Sequence, residues 1–522
     1  MNEHRLVHSK KTTLLSFQQP FSSFTFVETR YGRTNLAIRR LFSLARSHDA
    51  RTLMIEEIEP AGIISDENEE IRHYDTDYEM KGLERISFWQ SSFTDLSANV
   101  FRGEDCVGYA ILKRDAVPSK SYDGWHVFEA VFEKYRHKHN CVPNPMKYSI
   151  MLGSASISLK GLLYAQQNTL NKVCAHVALR SLISRINRRD VSYREINELA
   201  RQVPSPQDPS KGLNVEQIRA VLTGFAIDFR DFDYSLGDDR DRDRHPYHKY
   251  IYAGVESGAG ALLGFRFTGP AIHGIQKHII PFYGHTFNKD TWMPEADIAY
   301  FRVGERIGYI PSENWTSSFL GHDDNFGPNF CVPRVYVPSD KVDYVVELLK
   351  PGIKFGGAQA EALALQFLYS VLNQLNRIGP PENVWLKRFA YHAQLDVQPI
   401  ILRAIAVERD TYIQHLSNET DWDQNLEDRD AIDELRVSLP NALWIVEASI
   451  PQLFPANERK LGDIVLNGEI DLSDGQGGRS SFLFVRLPGF YFLTLTAGGS
   501  RPNFLTVPSK LTSHLPVITL EL

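Results

Sequence analysis

Cys174 stands in the stretch "YAQQNTLNKVCAHVALRSL", residues 164–182, where Gln166 and Gln167 lead through a polar loop to a thiol at the head of an apolar helical run. A free thiol with a pKa near ~8.5 is only a few per cent thiolate at neutral pH. The free N–H groups of a helix N-terminus stabilise the thiolate, and an adjacent imidazolium does so further. These residue types suit acyl transfer: the thiolate attacks a carbonyl, a histidine carries the proton, and amide N–H groups hold the oxyanion. The Gln167 side chain and the Cys174 backbone N–H would be the two donors. The plainer reading of such a cysteine is a small core residue.

A base is needed next. His278 heads the apolar run "HIIPFYG", where a histidine can face a cleft while the strand behind it is buried; His273 and His285 compete on the same stretch. A carboxylate should then orient the imidazole and fix its tautomer. Asn288 and Asp290 follow the histidine run too closely for a returning strand to reach it. Asp297 suits the length better, but Pro294 interrupts that arm. Asp323 ends the apolar stretch "SSFLGH", and its neighbour Asp324 would point the other way in extended chain. The plainer reading of "HDDNFG" is a polar turn.

Three regions are expected to carry these residues: an N-terminal α/β region over 1–145, a middle region over 146–339 and a C-terminal α/β region over 340–522. In the first, "NLAIRRLFSLARS" has helical spacing, "TLMIEEIE" and "GWHVFEAVFEKY" read as strands, and the polar "SDENEEIRHYDTDYEMKG" reads as a surface loop. In the second, "YSIMLGSASI" reads as one strand and "CAHVALRSLISRI" as a helix burying Val177, Ala178, Leu182 and Ile183. Ser192 with Glu195, and Asn214 with Gln217, predict capping boxes, and Gly224 is the expected C′ residue. Helices followed by antiparallel strands make an α+β fold class. The third region has the strong helix "AQAEALALQFLYSVLNQLNRI" and strands such as "NALWIVEAS" and "SFLFVRL", and reads as accessory.

The ordered segments "QNTLNKVCAHVAL", "GLNVEQIRAVLTGF", "VESGAGALLGF", "HIIPFYGHT" and "GHDDNFGP" resemble the papain-like cysteine peptidases, nearest to the bacterial branch of double-glycine (bacteriocin-processing) leader peptidases. The resemblance covers about the middle third of the chain. It implies a papain-like core of helices plus an antiparallel sheet, cleavage of a peptide or isopeptide bond through a thioester, and a triad of Cys174, His278 and Asp323, the last at the family's "D-P" position. It also implies an oxyanion glutamine. Gln167 lies one residue further from Cys174 than is usual in the family, while Asn168 occupies the usual spacing with a shorter amide. The segment "NKDTWMPEADIAYFRVGERIGYIPSENW" stands as an insertion that could line the cleft. The same triad would run deamidation or transglutamination on another substrate, and a fold that had lost activity would be a binding module.

Composition bounds the rest. The chain has 522 residues, 43% hydrophobic and 23% charged, with formal net charge −7. That balance offers no general attraction to nucleic acid or anionic membrane. No stretch approaches the ~20 apolar residues of a membrane span, and the N-terminus lacks a signal-like apolar run. Four dispersed cysteines do not make a disulfide scaffold, so a reduced, cytoplasmic enzyme is expected. His137, His139 and Cys141 fall short of zinc spacing. Neither metal nor cofactor is expected. The expected partner is a protein or peptide substrate, with an activating protein left open.

Overall fold

The computed structural model describes the chain apart from residues 1–2, 33–34, 96–102, 133–139, 142, 144, 154, 169, 171–172, 206–207, 210–211, 237–241, 243–244, 269–274, 288–300, 304–306, 379–383, 395–399, 419–432, 434, 452, 455–458, 473–479, 488–489, 494–502, 506–511 and 514–522. It is mixed α and β, with three large sheets whose described pairings are antiparallel apart from one.

The first sheet runs in the order Lys11–Ser16, Thr52–Glu57, Glu79–Trp89, Cys106–Val117, Tyr122–Phe132, Ala155–Tyr164, Met146–Leu152. Alternation places its two faces in different cores. Ile86, Phe88, Ala110 and Leu112 meet Ile38, Leu41 and Phe42 of helix Leu36–Ser47, which starts on an Asn35 cap. Leu83, Tyr109 and Ile111 face the other way, into a core shared with Ala178, Leu182, Ile196 and Val221. The N-terminal sheet and the middle helices thus bury one apolar volume between them. The expected single strand "YSIMLGSASI" is a hairpin instead: Gly153 takes a left-handed φ of 59° at its tip, and both arms complete the first sheet. Sheet membership therefore crosses residue 145.

The stretch expected to be a surface loop holds helix Ile63–Tyr74 and the start of strand Glu79–Trp89. The helix hides polar groups: buried Glu67 pairs with Lys113 at 2.7 Å, and Glu70 accepts from Asn197 at 2.8 Å. Burial satisfied by hydrogen bonds does not show in an apolar pattern.

The second sheet orders Gly327–Pro333, Ser318–Asp323, Ile275–Thr286, Ala261–Thr268, Val342–Leu348 and Phe229–Asp233. Val342–Leu348 thus joins it from beyond residue 339. Helix Tyr193–Ala200 begins with the Ser192–Glu195 box and helix Val215–Gly224 with the Asn214–Gln217 box. Gly224 is the last helical residue rather than C′; Ala226 takes the left-handed turn at φ 56°, and a Cβ on Gly224 would meet the end of the Leu199 side chain.

In the third sheet, Ile401–Glu408, Ala442–Ser449, Gly462–Asn467 and Phe482–Leu487 are central, packed under helix Gly357–Ile378 through Ala364, Leu368, Trp444 and Ile464. The inserted strand Ile307–Pro311 joins it in parallel with Ile401–Glu408. Arg403 ties the third sheet to helix Tyr247–Glu256 by bridging Glu447 and Glu256.

Gly321 sets the spacing between the strands that carry His278 and Asp323. A Cβ there would lie 2.7 Å from the Pro281 carbonyl oxygen, a backbone atom that cannot swing aside. Gly321→Ala should therefore push strand Ser318–Asp323 off its neighbour, costing about 1–3 kcal/mol in urea unfolding. It should also weaken any reaction that uses both side chains. Unfolding like wild type would mean that the strands are not held this closely.

Candidate functional site

Cys174 is the first residue of helix Cys174–Ile186. Val173 ahead of it is extended (φ −125°, ψ 177°), and no side chain caps the helix. First-turn N–H groups have no intrahelical acceptor, so the thiol sits among donors. The expected stripe of Val177, Ala178, Leu182 and Ile183 is buried, and the helix packs on strand Ile275–Thr286. Cys174 itself is half-buried at the edge of that core.

His278 is the fourth residue of its strand, not the first, and pairs across to Phe265. Phe265 and Phe267 meet its ring edge-on, with centroids 5.6 and 6.3 Å away. Its Nε2 lies 3.3 Å from Asp323 Oδ2 and 3.4 Å from Asp324 Oδ1, and the ring also hydrogen-bonds Cys174. Burial alone would lower the imidazole pKa. Hydrogen bonding to Asp323 and to Cys174, with the charges of Asp324 and Asp323, outweighs it and carries the group up to about 11. The ring is an imidazolium at neutral pH, the partner a thiolate needs.

Asp323 closes strand Ser318–Asp323 and caps the turn after it: Oδ1 accepts the N–H groups of Asn325 at 2.9 Å and Phe326 at 3.2 Å. Burial pushes its pKa up, but His278 and those N–H groups bring it below the usual carboxylate range. Asp324 does not point away as extended chain would require. The strand ends at Asp323, residues 324–326 turn, and alternation lapses, so both carboxylates reach one imidazole. Burial raises Asp324 to about 6, with Asp323 adding to the rise and His278 opposing it.

The two amides proposed for the oxyanion part company. Gln167 Nε2 donates to Asn325 Oδ1 at 3.2 Å, in the acid-bearing turn. Asn168 is buried and donates to Glu67 at 3.1 Å. Gln166 serves the scaffold, its Oε1 accepting from the Val127 N–H.

The remaining sequence candidates are elsewhere. His285 is buried against Glu256, which also takes Arg403. His273, Asn288, Asp290, Asp297, His137 and His139 lie outside the described residues, as does the Cys141 side chain. Of the inserted segment expected to line the cleft, residues 288–300 and 304–306 lie outside the described residues, and the strands Phe301–Val303 and Ile307–Pro311 join the third sheet. Asn325 and Phe267 were not legible as site residues. The only hint was the turn-forming run "DDNFG". His278, Asp323 and Asp324 offer one nitrogen and two carboxylate oxygens within 4.8 Å of one another, a donor set that could also take a small divalent cation.

No described helix is long and apolar enough to cross a membrane. No protein-family model matches the chain, and no curated protein matches its sequence.

Proposed function

We propose that this chain is a papain-like cysteine peptidase that cleaves a peptide or isopeptide bond through Cys174, His278 and Asp323. The observation that carries the reading is the joint environment of His278: one imidazole in hydrogen-bonding reach of a helix-initial thiol and of a capped, ionised carboxylate. The Cys174 sulfur attacks the carbonyl carbon, and the tetrahedral oxyanion takes N–H groups from Gln167 and the Cys174 backbone. His278 gives its proton to the departing amine, leaving a thioester. Water, deprotonated by the now neutral His278, resolves the thioester and frees the thiol. Asp323 holds the ring throughout.

Alkylation by iodoacetamide tests the premise. Cys331 is exposed and Cys106 buried, whereas Cys174 is half-buried, so accessibility alone would favour Cys331. Desolvation raises the Cys331 thiol, however, while Cys174 faces an imidazolium. At pH 7, Cys174 should be modified first among the four cysteines, as read by peptide mapping. Faster modification of Cys331 or Cys141 would sink the assignment. A thiol-directed peptide probe should then label wild type and not Cys174→Ala. Ammonia release without chain cleavage would move the reaction to deamidation or transglutamination. Absence of labelling would leave a binding module.

A further inference from the structure

Gln167 can serve an oxyanion only if its amide presents N–H, and a terminal amide torsion is broad and roughly two-fold, so its nitrogen and oxygen ends can exchange. What decides the matter lies in the turn after Asp323. An ionised carboxylate only accepts hydrogen bonds. Asn325 Nδ2 lies 3.5 Å from Asp324 Oδ1, at the limit of hydrogen-bond reach, so the Asn325 amide turns its NH₂ end to that acid. Its carbonyl oxygen is thereby left for Gln167, and Gln167 can meet it only with N–H, as it does at 3.2 Å. An amide NH₂ carries two hydrogens; one is spent on Asn325 and the other remains for a substrate oxygen. The backbone of Asn325 is fixed as well, because its own N–H donates to Asp323 Oδ1 at 2.9 Å.

Resting on the peptidase reading above, we propose that Asp324 and Asn325 form a hydrogen-bond relay that orients the Gln167 amide as an oxyanion donor, with Asn325 the positioning residue. The acid-bearing turn then does two things at once: Asp323 orients the base, and the next two residues orient the oxyanion donor. Asn325 is exposed, so its replacement spares the core.

The test compares wild type, Asn325→Ala, Asn325→Asp, Gln167→Ala and the double variant Gln167→Ala/Asn325→Ala on a peptide substrate, with iodoacetamide alkylation of Cys174 measured alongside. Losing one oxyanion donor costs on the order of 10²–10³ in kcat. Asn325→Ala misdirects that donor rather than deleting it, and should lower kcat roughly tenfold with KM little changed. Alkylation forms no oxyanion, so its rate should stay at the wild-type value in every variant. Asn325→Asp keeps an acceptor for Gln167 but loses the donor to Asp324 and sets two carboxylates face to face, so it should not restore wild-type kcat. The double variant should be no slower than Gln167→Ala alone. Full kcat in Asn325→Ala overturns the relay. So does a further loss in the double variant or a parallel fall in alkylation. If wild-type Cys174 neither alkylates preferentially nor takes a peptide probe, the peptidase reading fails and the relay falls with it. That result is distinct from a labelled, active wild type whose Asn325 variants are unimpaired.

Discussion

His278→Ala should abolish measurable turnover and, at the same time, make stability depend on pH in a new way. General acid–base catalysis is worth on the order of 10²–10⁴ in rate. Here the same ring is also the hydrogen-bond partner of Cys174, so the loss should reach the upper end of that range. The stability effect follows from what the ring touches. The imidazolium stands between two buried carboxylates. Removing one partner of a buried ion pair costs roughly 3–5 kcal/mol when the remaining charge cannot be relieved. Asp324 can relieve it by taking a proton, since burial already holds its pKa at about 6. The variant should therefore be far less stable than wild type at pH 8 and recover part of the deficit at pH 5. The wild-type contribution of His278 also declines with rising pH, but over a higher window. Its folded pKa of about 11 lies above the ordinary value of 6.5, so the stability it supplies is complete below about 6.5 and is lost as pH rises toward 11. Urea unfolding of both proteins from pH 5 to pH 10 checks this, and a His278→Ala variant with wild-type stability at pH 8 would contradict it.

Asp323 and Asp324 should differ sharply, although each lies within 3.4 Å of the same nitrogen. Asp323 is held ionised by His278 and by two turn N–H groups, so it both orients the ring and keeps the turn closed. Asp323→Ala should lose on the order of 10²-fold or more in kcat. Asp323→Asn retains one carbonyl oxygen and should lose less, because it can still accept from either the ring or the turn. Asp324→Asn should cost no more than about tenfold, through a weaker field on His278 and a less directed Gln167. Its stability signature is distinctive. In wild type the folded pKa of Asp324 is raised above 3.8 to about 6, so stability falls as pH rises through that interval. Asp324→Asn should flatten this part of the profile. Equal kinetic losses in Asp323→Ala and Asp324→Ala would mean that the two acids act as one unit rather than as orienter and neighbour.

Local chemistry was readable wherever neighbours in the chain satisfy one another. Ser192 with Glu195 and Asn214 with Gln217 close reciprocal bonds within four residues, and both boxes form. The helix opened by Cys174 and the strand Ala442–Ser449 follow from apolar periodicity over a few turns or pleats. Cys174, His278, Asp323 and Gln167 could be named because each belongs to such an element or to its edge. What chain order alone left open was every choice settled by a distant partner. Glu67 draws Asn168 inward and leaves Gln167 facing the turn. Lys113 and Asn197 let helix Ile63–Tyr74 bury a polar face that reads as loop. The turn at residues 324–326 ends the alternation that would have sent Asp324 away, and Gly321 admits the close strand approach that brings the acids to His278. Sheet partners were likewise decided in three dimensions: hairpin 146–164 closes the N-terminal sheet, and Ile307–Pro311 crosses to the C-terminal one. Periodicity reports which side of an element is apolar; which other surface it meets, and which buried polar group answers another, is fixed only when the cores close around them.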